Sequence, residues 1–313
     1  MKRLSVLIAI ACLLFLNPSS ADSEIEDETA SGLREKIDAL VEKASSVDAS
    51  GEETKAAKEE LVALGKDATP ILIAQLDTIS VLKSIALLDV LTDIGEEAVP
   101  DLLQALESEA PRTRRNAAYI LAKIKDERAI PSLLGFLNDE KAELRRIAAM
   151  GLGDLEYREA VPQLMKLSDD LDEGVRRHIV IALGKIEDEE ATPTLLRALK
   201  DKYFSVRFPA SEALVKLGSA AVDPLILTLK DKEFLTQSLV IETLGKIGDE
   251  RAVKPLIGFL SSEDWGLRGV AVEALGNIGG KKARNSIKKL SKREKNGFVR
   301  EKIFRALEEL NSQ

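Results

Sequence analysis

Arginine recurs at a fixed place along most of this chain, and acidic residues recur shortly before the same place. The arginines are Arg114, Arg145, Arg176, Arg207, Arg268 and Arg300, and Gln237 interrupts the series. The acids six positions before the place are Asp139, Asp170, Asp201, Asp231 and Glu294. A guanidinium makes forked hydrogen bonds to a carboxylate or another oxyanion. The pattern therefore predicts either a structural ladder, in which each arginine joins its own turn to a neighbouring carboxylate, or a row of anion-binding sites.

A second set of residues follows the first by one position and is both basic and apolar. Its members are Arg115, Tyr119, Lys123, Arg146, Met150, Arg177, Ile181 and Lys185. Spacings of four place them on one face of each helix. Later in the chain, Glu212, Glu242 and Glu273 occupy the repeat position that Tyr119, Met150 and Ile181 hold earlier. This pattern predicts a groove with a cationic middle and an acidic later part, which binds an extended protein partner; the alternative is an ordinary solvated face.

Aromatic residues and the two ends of the chain offer two further candidate surfaces. Phe204, Phe234 and Trp265 lie three residues before the arginine position, and they predict either an exposed contact ridge or rings that pack adjacent repeats together.

The two ends of the chain differ in charge. Residues 281–305 contain eleven Lys or Arg and two Glu, whereas residues 22–60 contain thirteen acids and five bases. This difference favours head-to-tail contact or attraction to an anionic surface, unless both ends are simply solvated caps.

Residues that could support catalysis are few. His178 is the only histidine, so neither a serine triad with its usual elbow motif nor a site built from several histidines is expected. Gly151-Leu152-Gly153 belongs to a helical repeat and has no strand before it, which argues against a nucleotide-binding loop. The net charge of −8 argues against a general nucleic-acid binder. We therefore expect no catalytic residue, cofactor, metal or small-molecule substrate.

A repeat places all of these residues. Seven prolines mark it, with a first interval of 30 residues and five later intervals of 31: Pro70, Pro100, Pro131, Pro162, Pro193, Pro224 and Pro255. Each proline suits the first turn of a short helix, and a longer helix rich in Ala and Leu follows. A period of this length predicts stacked supersecondary units. We expect an all-α fold, a right-handed α-solenoid of about nine helix pairs over residues 32–311, with a diverged first pair.

The amino terminus has the features of a secretory signal peptide over residues 1–21. Lys2 and Arg3 precede an apolar run, and Ser19-Ser20-Ala21 predicts cleavage after Ala21. Cys12, the only cysteine, lies inside this segment, so acylation of Cys12 and an uncleaved anchor are the minority alternatives and the only expected routes to a membrane. An acidic, flexible lead-in over residues 22–31 is predicted to follow. The protein is thus expected to be exported, to a periplasmic or extracellular location.

The repeat residues resemble HEAT-like repeats of the phycobilisome-lyase type. The matching positions are Asp170, Val175-Arg176, the run Ala182 to Ile186, Gly248-Asp249 and Ala252-Val253, and the resemblance extends from about Ala56 to Leu310. It implies second helices that line a concave side, and it favours the ladder interpretation of the arginines, a usual role in that family. It does not imply one activity, because fold does not determine function.

The expected function is non-catalytic scaffolding, in which an extended protein partner binds along the concave face. Two alternatives stay open at this point. One is a lyase-type factor that matures a chromophore or a protein, which the resemblance suggests. The other is a structural envelope protein that self-associates end to end, which the charge difference between the two ends suggests.

Overall fold

α-Helices follow one another in nine pairs in the computed structural model, which describes residues 20–312. The pairs are α1 (Ser20–Ala44) and α2 (Gly51–Ala63), α3 (Thr69–Ile73) and α4 (Val81–Ile94), α5 (Val99–Ala105) and α6 (Pro111–Ile124), α7 (Ile130–Phe136) and α8 (Ala142–Asp154), α9 (Val161–Lys166) and α10 (Glu173–Ile186), α11 (Thr192–Ala198) and α12 (Phe204–Leu217), α13 (Ser219–Thr228) and α14 (Phe234–Ile247), α15 (Val253–Phe259) and α16 (Trp265–Ile278), and α17 (Gly280–Ser291) and α18 (Gly297–Ser312). No strand occurs among these residues. The predicted all-α solenoid of about nine helix pairs is confirmed.

Local sequence sets the helix boundaries. Proline occupies the first turn of several first helices, as Pro131 does in α7, where a missing N–H is harmless. Many second helices begin at a side-chain cap; the Asp172 carboxylate accepts from the Val175 N–H at 2.9 Å at the start of α10. Left-handed residues end most second helices, either glycine, such as Gly248 with φ of 78°, or a charged residue, such as Glu187 with φ of 55°.

The chain forms two compact units, Met1–Ile120 and Leu121–Gln313, and the boundary falls within α6. In the first unit, Ile37, Leu61, Leu72, Leu87 and Leu102 are fully or almost fully buried and form part of the core. Buried Asn116, in the second turn of α6, donates from Nδ2 to the Leu76 carbonyl at 2.9 Å. The prediction of a single array over residues 32–311 stays a prediction.

Most predictions for the amino terminus concern residues that the structure does not describe. Residues 1–19, with most of the predicted signal peptide and Cys12, lie outside the described residues. The stretch 22–31, predicted to be a flexible lead-in, belongs to α1 in the structure, and its flexibility stays a prediction. Between residues 20 and 312, no helix combines the length and the apolar character needed to cross a bilayer.

Small residues bring neighbouring second helices close together in the second unit. A Cβ atom added to Gly153 of α8 would lie 2.6 Å from the Ala182 Cα of α10, and one on Gly245 of α14 would lie 2.6 Å from the Ala274 Cα of α16. Such pairs let the helix backbones approach without a side chain between them. The α12–α14 contact differs, because the hydroxyl oxygens of Ser211 and Thr243 form a buried hydrogen bond of 2.8 Å there.

Candidate partner-binding surface

The recurring arginines of the second unit join consecutive repeats. Arg145 donates from Nε and Nη2 to the Asp170 carboxylate of the following repeat at 2.8 and 2.9 Å. Its Nη1 donates to the Asp139 and Glu140 carbonyls of its own turn at 2.8 and 2.9 Å. Arg176 repeats the arrangement with Asp201 at 2.7 and 3.2 Å. These contacts form a ladder in which the guanidinium groups are occupied by protein oxygens.

A third rung of this ladder closes near the carboxyl end. Arg268 donates from Nε and Nη2 to the Glu294 carboxylate at 2.7 and 3.0 Å. These hydrogen bonds lower the pKa of Glu294 to about 2, against the desolvation that burial imposes. Burial raises the pKa of Asp170 and Asp201, but the arginine hydrogen bonds, the backbone N–H groups of Asp172 and Tyr203 and the nearby positive charges together outweigh it. The pKa of each carboxyl therefore lies below its usual value. The rung carboxylates therefore stay ionised over the physiological pH range.

Other positions of the series lack the complete rung. Arg207 donates to the Asp201 and Lys202 carbonyls, and among residues 31–311 no carboxylate completes its rung. Asp231 forms an ion pair with Lys200 instead. Gln237 takes the arginine place in α14, and its Nε2 donates to the Leu229 carbonyl at 3.0 Å. In the first unit Arg114 donates to the Ser108 carbonyl at 2.7 Å. Arg300 in α18 is exposed.

The residues predicted to bind a partner lie in both units. Arg115 and Tyr119 are half-buried residues of the first unit, and Arg115 donates to the Asn116 side chain at 2.9 and 3.0 Å. The remaining members belong to the second unit: Lys123, Arg146, Met150, Arg177, Ile181 and Lys185. We use the name second-helix face for one surface of that unit. It consists of Arg146 and Met150 on α8, Arg177, Ile181 and Lys185 on α10, and the residues on the same side of α12, α14, α16 and α18.

Charge on the second-helix face is partly neutralised by ion pairs between adjacent helices. Lys185 of α10 pairs with Asp154 of α8, so its charge is not available in full as part of a cationic surface. Arg177 is exposed, and within residues 31–311 no carboxylate lies within ion-pair distance of it or of Arg146. The Nε atom of Arg146 is enclosed and has no hydrogen-bond partner in that part of the chain. The cationic part of the face is therefore Arg146 and Arg177, beside the half-buried Met150 and Ile181.

The predicted acidic part of the groove is balanced by lysines. Lys246 Nζ lies 2.9 Å from a Glu212 carboxylate oxygen and 3.1 Å from one of Glu242. Lys302 Nζ lies 2.7 Å from a Glu273 carboxylate oxygen. A cavity of about 360 Å³ opens along α14, α16 and α18 between these side chains. Its lining is mixed in charge, whereas the sequence predicted an acidic one.

Aromatic side chains form the most exposed apolar feature of the second-helix face. The aromatic ridge, as we call it, consists of five rings at the starts of α12, α14, α16 and α18: Phe204, Phe208, Phe234, Trp265 and Phe298. Their exposed fractions lie between 43% for Phe234 and 63% for Phe204, so none is a core residue. Trp265 and Phe298, on adjacent second helices, meet edge to face with their ring centres 5.7 Å apart. The ring centres of Phe204 and Phe208 lie 5.8 Å apart on one helix. Trp265 and Phe298 thus contact each other between adjacent repeats, and all five rings remain partly exposed.

Two ridge residues were not identified from the sequence. Phe208 follows the arginine place, and Phe298 lies one residue out of register with Trp265, so neither extended the pattern of Phe204, Phe234 and Trp265. The available signal was the four-residue spacing between Phe204 and Phe208, which puts both rings on one helix face. Cations border the ridge: Lys246 Nζ lies 5.8 Å from the Phe208 ring centre and Lys302 Nζ 5.2 Å from that of Phe298.

His178 is held by the backbone of its own helix. Its Nδ1 lies 2.7 Å from the Gly174 carbonyl. Burial lowers the pKa of His178, and the nearby Arg177 and Arg146 charges lower it further. No group of three or more potential metal ligands occurs within the part of the chain that the structure describes.

The comparisons with known proteins agree with this architecture. A family model for HEAT repeats matches residues 69–149, 133–215 and 222–308. An X-ray structure of the Escherichia coli protein YibA is similar at a TM-score of 0.54 and 23% identity, over 86% of this chain and 99% of that one. No curated protein sequence matches significantly.

Two enzymes are among the more distant structural neighbours. Human deoxyhypusine hydroxylase, in complex with glycerol, has a TM-score of 0.36 at 23% identity and covers 84% of this chain and 100% of that one. The complex of CpcE and CpcF of phycocyanin lyase from Nostoc sp. PCC7120 has a TM-score of 0.41 at 20% identity and covers 77% and 94%. At this level of similarity neither one transfers an activity to this chain.

Proposed function

Since the chain belongs to the HEAT-repeat family, we propose that it is a non-catalytic scaffold, exported from the cytoplasm, which binds an extended protein partner along the second-helix face. The aromatic ridge is the observation that carries this proposal. Exposed aromatic clusters bordered by polar groups are typical of protein-binding surfaces, and large rings contribute much of the binding energy at interfaces. The non-catalytic part rests on the sequence, which has one histidine and one cysteine.

The ladder supports this function by holding the surface rigid before a partner arrives. Arg145 and Arg176 each join two consecutive repeats through carboxylate hydrogen bonds. A surface that is already ordered loses less conformational entropy on binding, so more of the contact energy appears as affinity. The exposed rings and the cations Arg146 and Arg177 are thus presented along one continuous set of helices. An extended partner with apolar and acidic side chains is complementary to this surface.

The proposal is tested by crosslinked capture from the native envelope with tagged mature protein. The double variant R146E/R177E should lose the specifically crosslinked partner, because both cations on the face reverse their charge. The matched control R158E/K166E makes the same change in net charge at two exposed side chains of the second unit. We expect the control to capture the same protein as the wild type. Equal capture by R146E/R177E, with an unchanged thermal unfolding midpoint, would remove the proposed surface.

Export is tested separately, by fractionation and by the mass of the protein from its native cells. The proposed cleavage after Ala21 gives a mature chain that begins at Asp22. A protein recovered from the cytoplasmic fraction with residues 1–21 intact would contradict the export proposal and leave the partner surface unaffected.

A further inference from the structure

The last first helix, α17, differs from its equivalents in charge. Residues 280–293 contain seven basic residues and no acid: Lys281, Lys282, Arg284, Lys288, Lys289, Lys292 and Arg293. Five of the seven lie within α17, whereas the first helices α3, α5, α7, α9, α11, α13 and α15 carry at most one basic residue each, so the repeat itself does not require this composition. The chain as a whole has a net charge of −8, which makes the concentration of positive charge at α17 a local feature.

The five basic residues of α17, with Lys292 and Arg293 just past its end, lie on one half of the helix surface, which we call the basic face. Ala283, Ile287 and Leu290 occupy the other half and are buried. Six of the seven basic residues are exposed, and Arg284 is half-buried. At 100° per residue, Lys281, Lys288 and Lys292 fall within about 40° of one another at the centre of the basic face. The buried apolar side chains are used in packing, so the face presents charged and polar groups.

No carboxylate among residues 31–311 neutralises the basic face. Among residues 31–311, none of the seven is in ion-pair distance of Asp or Glu. Arg293 reaches only the Ser261 hydroxyl, at 3.0 Å, and the Leu260 carbonyl, and Arg284 contacts the Asn311 side chain. Like charges four residues apart, such as Lys288 and Lys292, repel each other in a helix. The fold thus tolerates a repulsion that an external anion would relieve.

We propose that the basic face of α17 docks the protein onto an anionic phospholipid surface. Five of the seven cations are lysines, whose compact charges suit a diffuse layer of headgroups better than the paired geometry of a carboxylate or a base edge. A protein interface has an apolar or aromatic centre, and single-stranded nucleic acid is bound on aromatic platforms. The basic face has neither. Clusters of four to eight Lys or Arg on an amphipathic helix indicate binding to anionic lipid, at about 1 kcal/mol for each basic residue near the surface.

This docking site is independent of the proposed partner surface, because α17 is a first helix whereas the partner surface consists of second helices. Attachment by the basic face is peripheral, since no exposed apolar side chain on it is available for insertion. We therefore expect binding that is sensitive to salt, because the field of exposed charges extends only about 10 Å at 0.1 M salt and about 3 Å at 1 M.

Vesicle co-sedimentation tests the proposal on the full mature chain. Vesicles of phosphatidylglycerol and phosphatidylcholine should bind the wild-type protein at 0.1 M salt and release it at 1 M, and vesicles of phosphatidylcholine alone should not bind it. The variant K281Q/K288Q/K292Q removes the centre of the basic face and should bind the anionic vesicles on the order of 100-fold more weakly.

Two matched variants separate the basic face from general charge. K281R/K288R/K292R keeps the charge and should bind like the wild type. K141Q/K166Q/K254Q removes three exposed lysines elsewhere in the second unit and should also bind like the wild type. The proposal is overturned if the wild type fails to bind anionic vesicles or binds phosphatidylcholine equally. Unchanged binding by the K281Q/K288Q/K292Q variant would overturn it too, as would tight binding to heparin or duplex DNA without binding to vesicles.

Discussion

Arg145 and Asp170 form a two-pronged ion pair between consecutive repeats, with N–O distances of 2.8 and 2.9 Å and with both side chains largely buried. The same guanidinium also donates to two carbonyls of the turn before α8. One side chain therefore orders its own turn and joins it to the next repeat. This relationship recurs in Arg176 with Asp201 and in Arg268 with Glu294.

The first prediction concerns this ion pair. R145A should lower the free energy of unfolding by about 3–5 kcal/mol, because the substitution leaves the Asp170 carboxylate buried without its partner. R145K should have an intermediate effect, since an ammonium group cannot reproduce the fork. Urea unfolding followed by circular dichroism measures both. R300A, at an exposed arginine, is the control and should change stability by less than about 0.5 kcal/mol. A stability of R145A equal to that of R300A would show that the rung contributes nothing.

The second prediction concerns the close approach of α8 and α10. G153A should destabilise the protein by about 1–3 kcal/mol, because its new Cβ would lie 2.6 Å from the Ala182 Cα and the helices would have to separate. G258A is the matched control, since no atom lies within 4 Å of a Cβ at that helical position. We expect G258A to be neutral or slightly stabilising, because alanine favours helix over glycine. Thermal unfolding midpoints of the two variants compare these effects, and a neutral G153A would contradict the packing argument.

The third prediction is a dependence of stability on pH that arises from Glu294. Its pKa in the folded protein is about 2, below the reference value of 4.5 for an unfolded chain. The folded state therefore binds this proton less readily than the unfolded state does. The stabilisation is present in full above about pH 4.5, and it is lost as the pH falls from there toward 2.

The variant E294Q tests this dependence. At pH 7 it should be less stable than the wild type by about 1.5–3 kcal/mol, the range for hydrogen bonds to charged groups. The difference should shrink as the pH approaches 2, because the wild-type carboxyl becomes neutral as well. Urea unfolding at several pH values measures the two curves. A difference that stays constant from pH 7 to pH 2 would show that Glu294 does not titrate as the structure implies.

The fourth prediction concerns the aromatic ridge. A double-mutant cycle on Trp265 and Phe298, each changed to alanine, should give a coupling energy of about 0.5–1.5 kcal/mol, because the rings meet edge to face at 5.7 Å. Both rings are about half exposed, so the lower part of that range is expected. The same cycle on Trp265 and the exposed Phe304 serves as the control and should give no coupling. Additive effects of the Trp265 and Phe298 substitutions would mean that the rings do not support each other.

The fold was predictable because the same residue types recur at a fixed period along the chain. Proline at helix starts, glycine at helix ends and helices rich in Ala and Leu specify the helix pairs locally, and nearly identical units can stack in only a few ways. The candidate surface was less predictable. Lys185 and Asp154 are 31 residues apart, and only the stacking of α10 on α8 shows that they pair. The predicted cationic surface is correspondingly smaller than the sequence suggested.

The sequence by itself determined the all-α class, the helix pairs and the positions of the arginines, acids and aromatic rings, because each of these depends on contacts within one repeat or on its period. The tertiary structure decided which charges are neutralised and which rings are open. Those properties depend on the residues that adjacent repeats place within a few ångströms, as Lys302 is placed beside Glu273 and Trp265 beside Phe298. Hydrogen bonds and ion pairs act over such distances, and a linear pattern does not specify them to that precision.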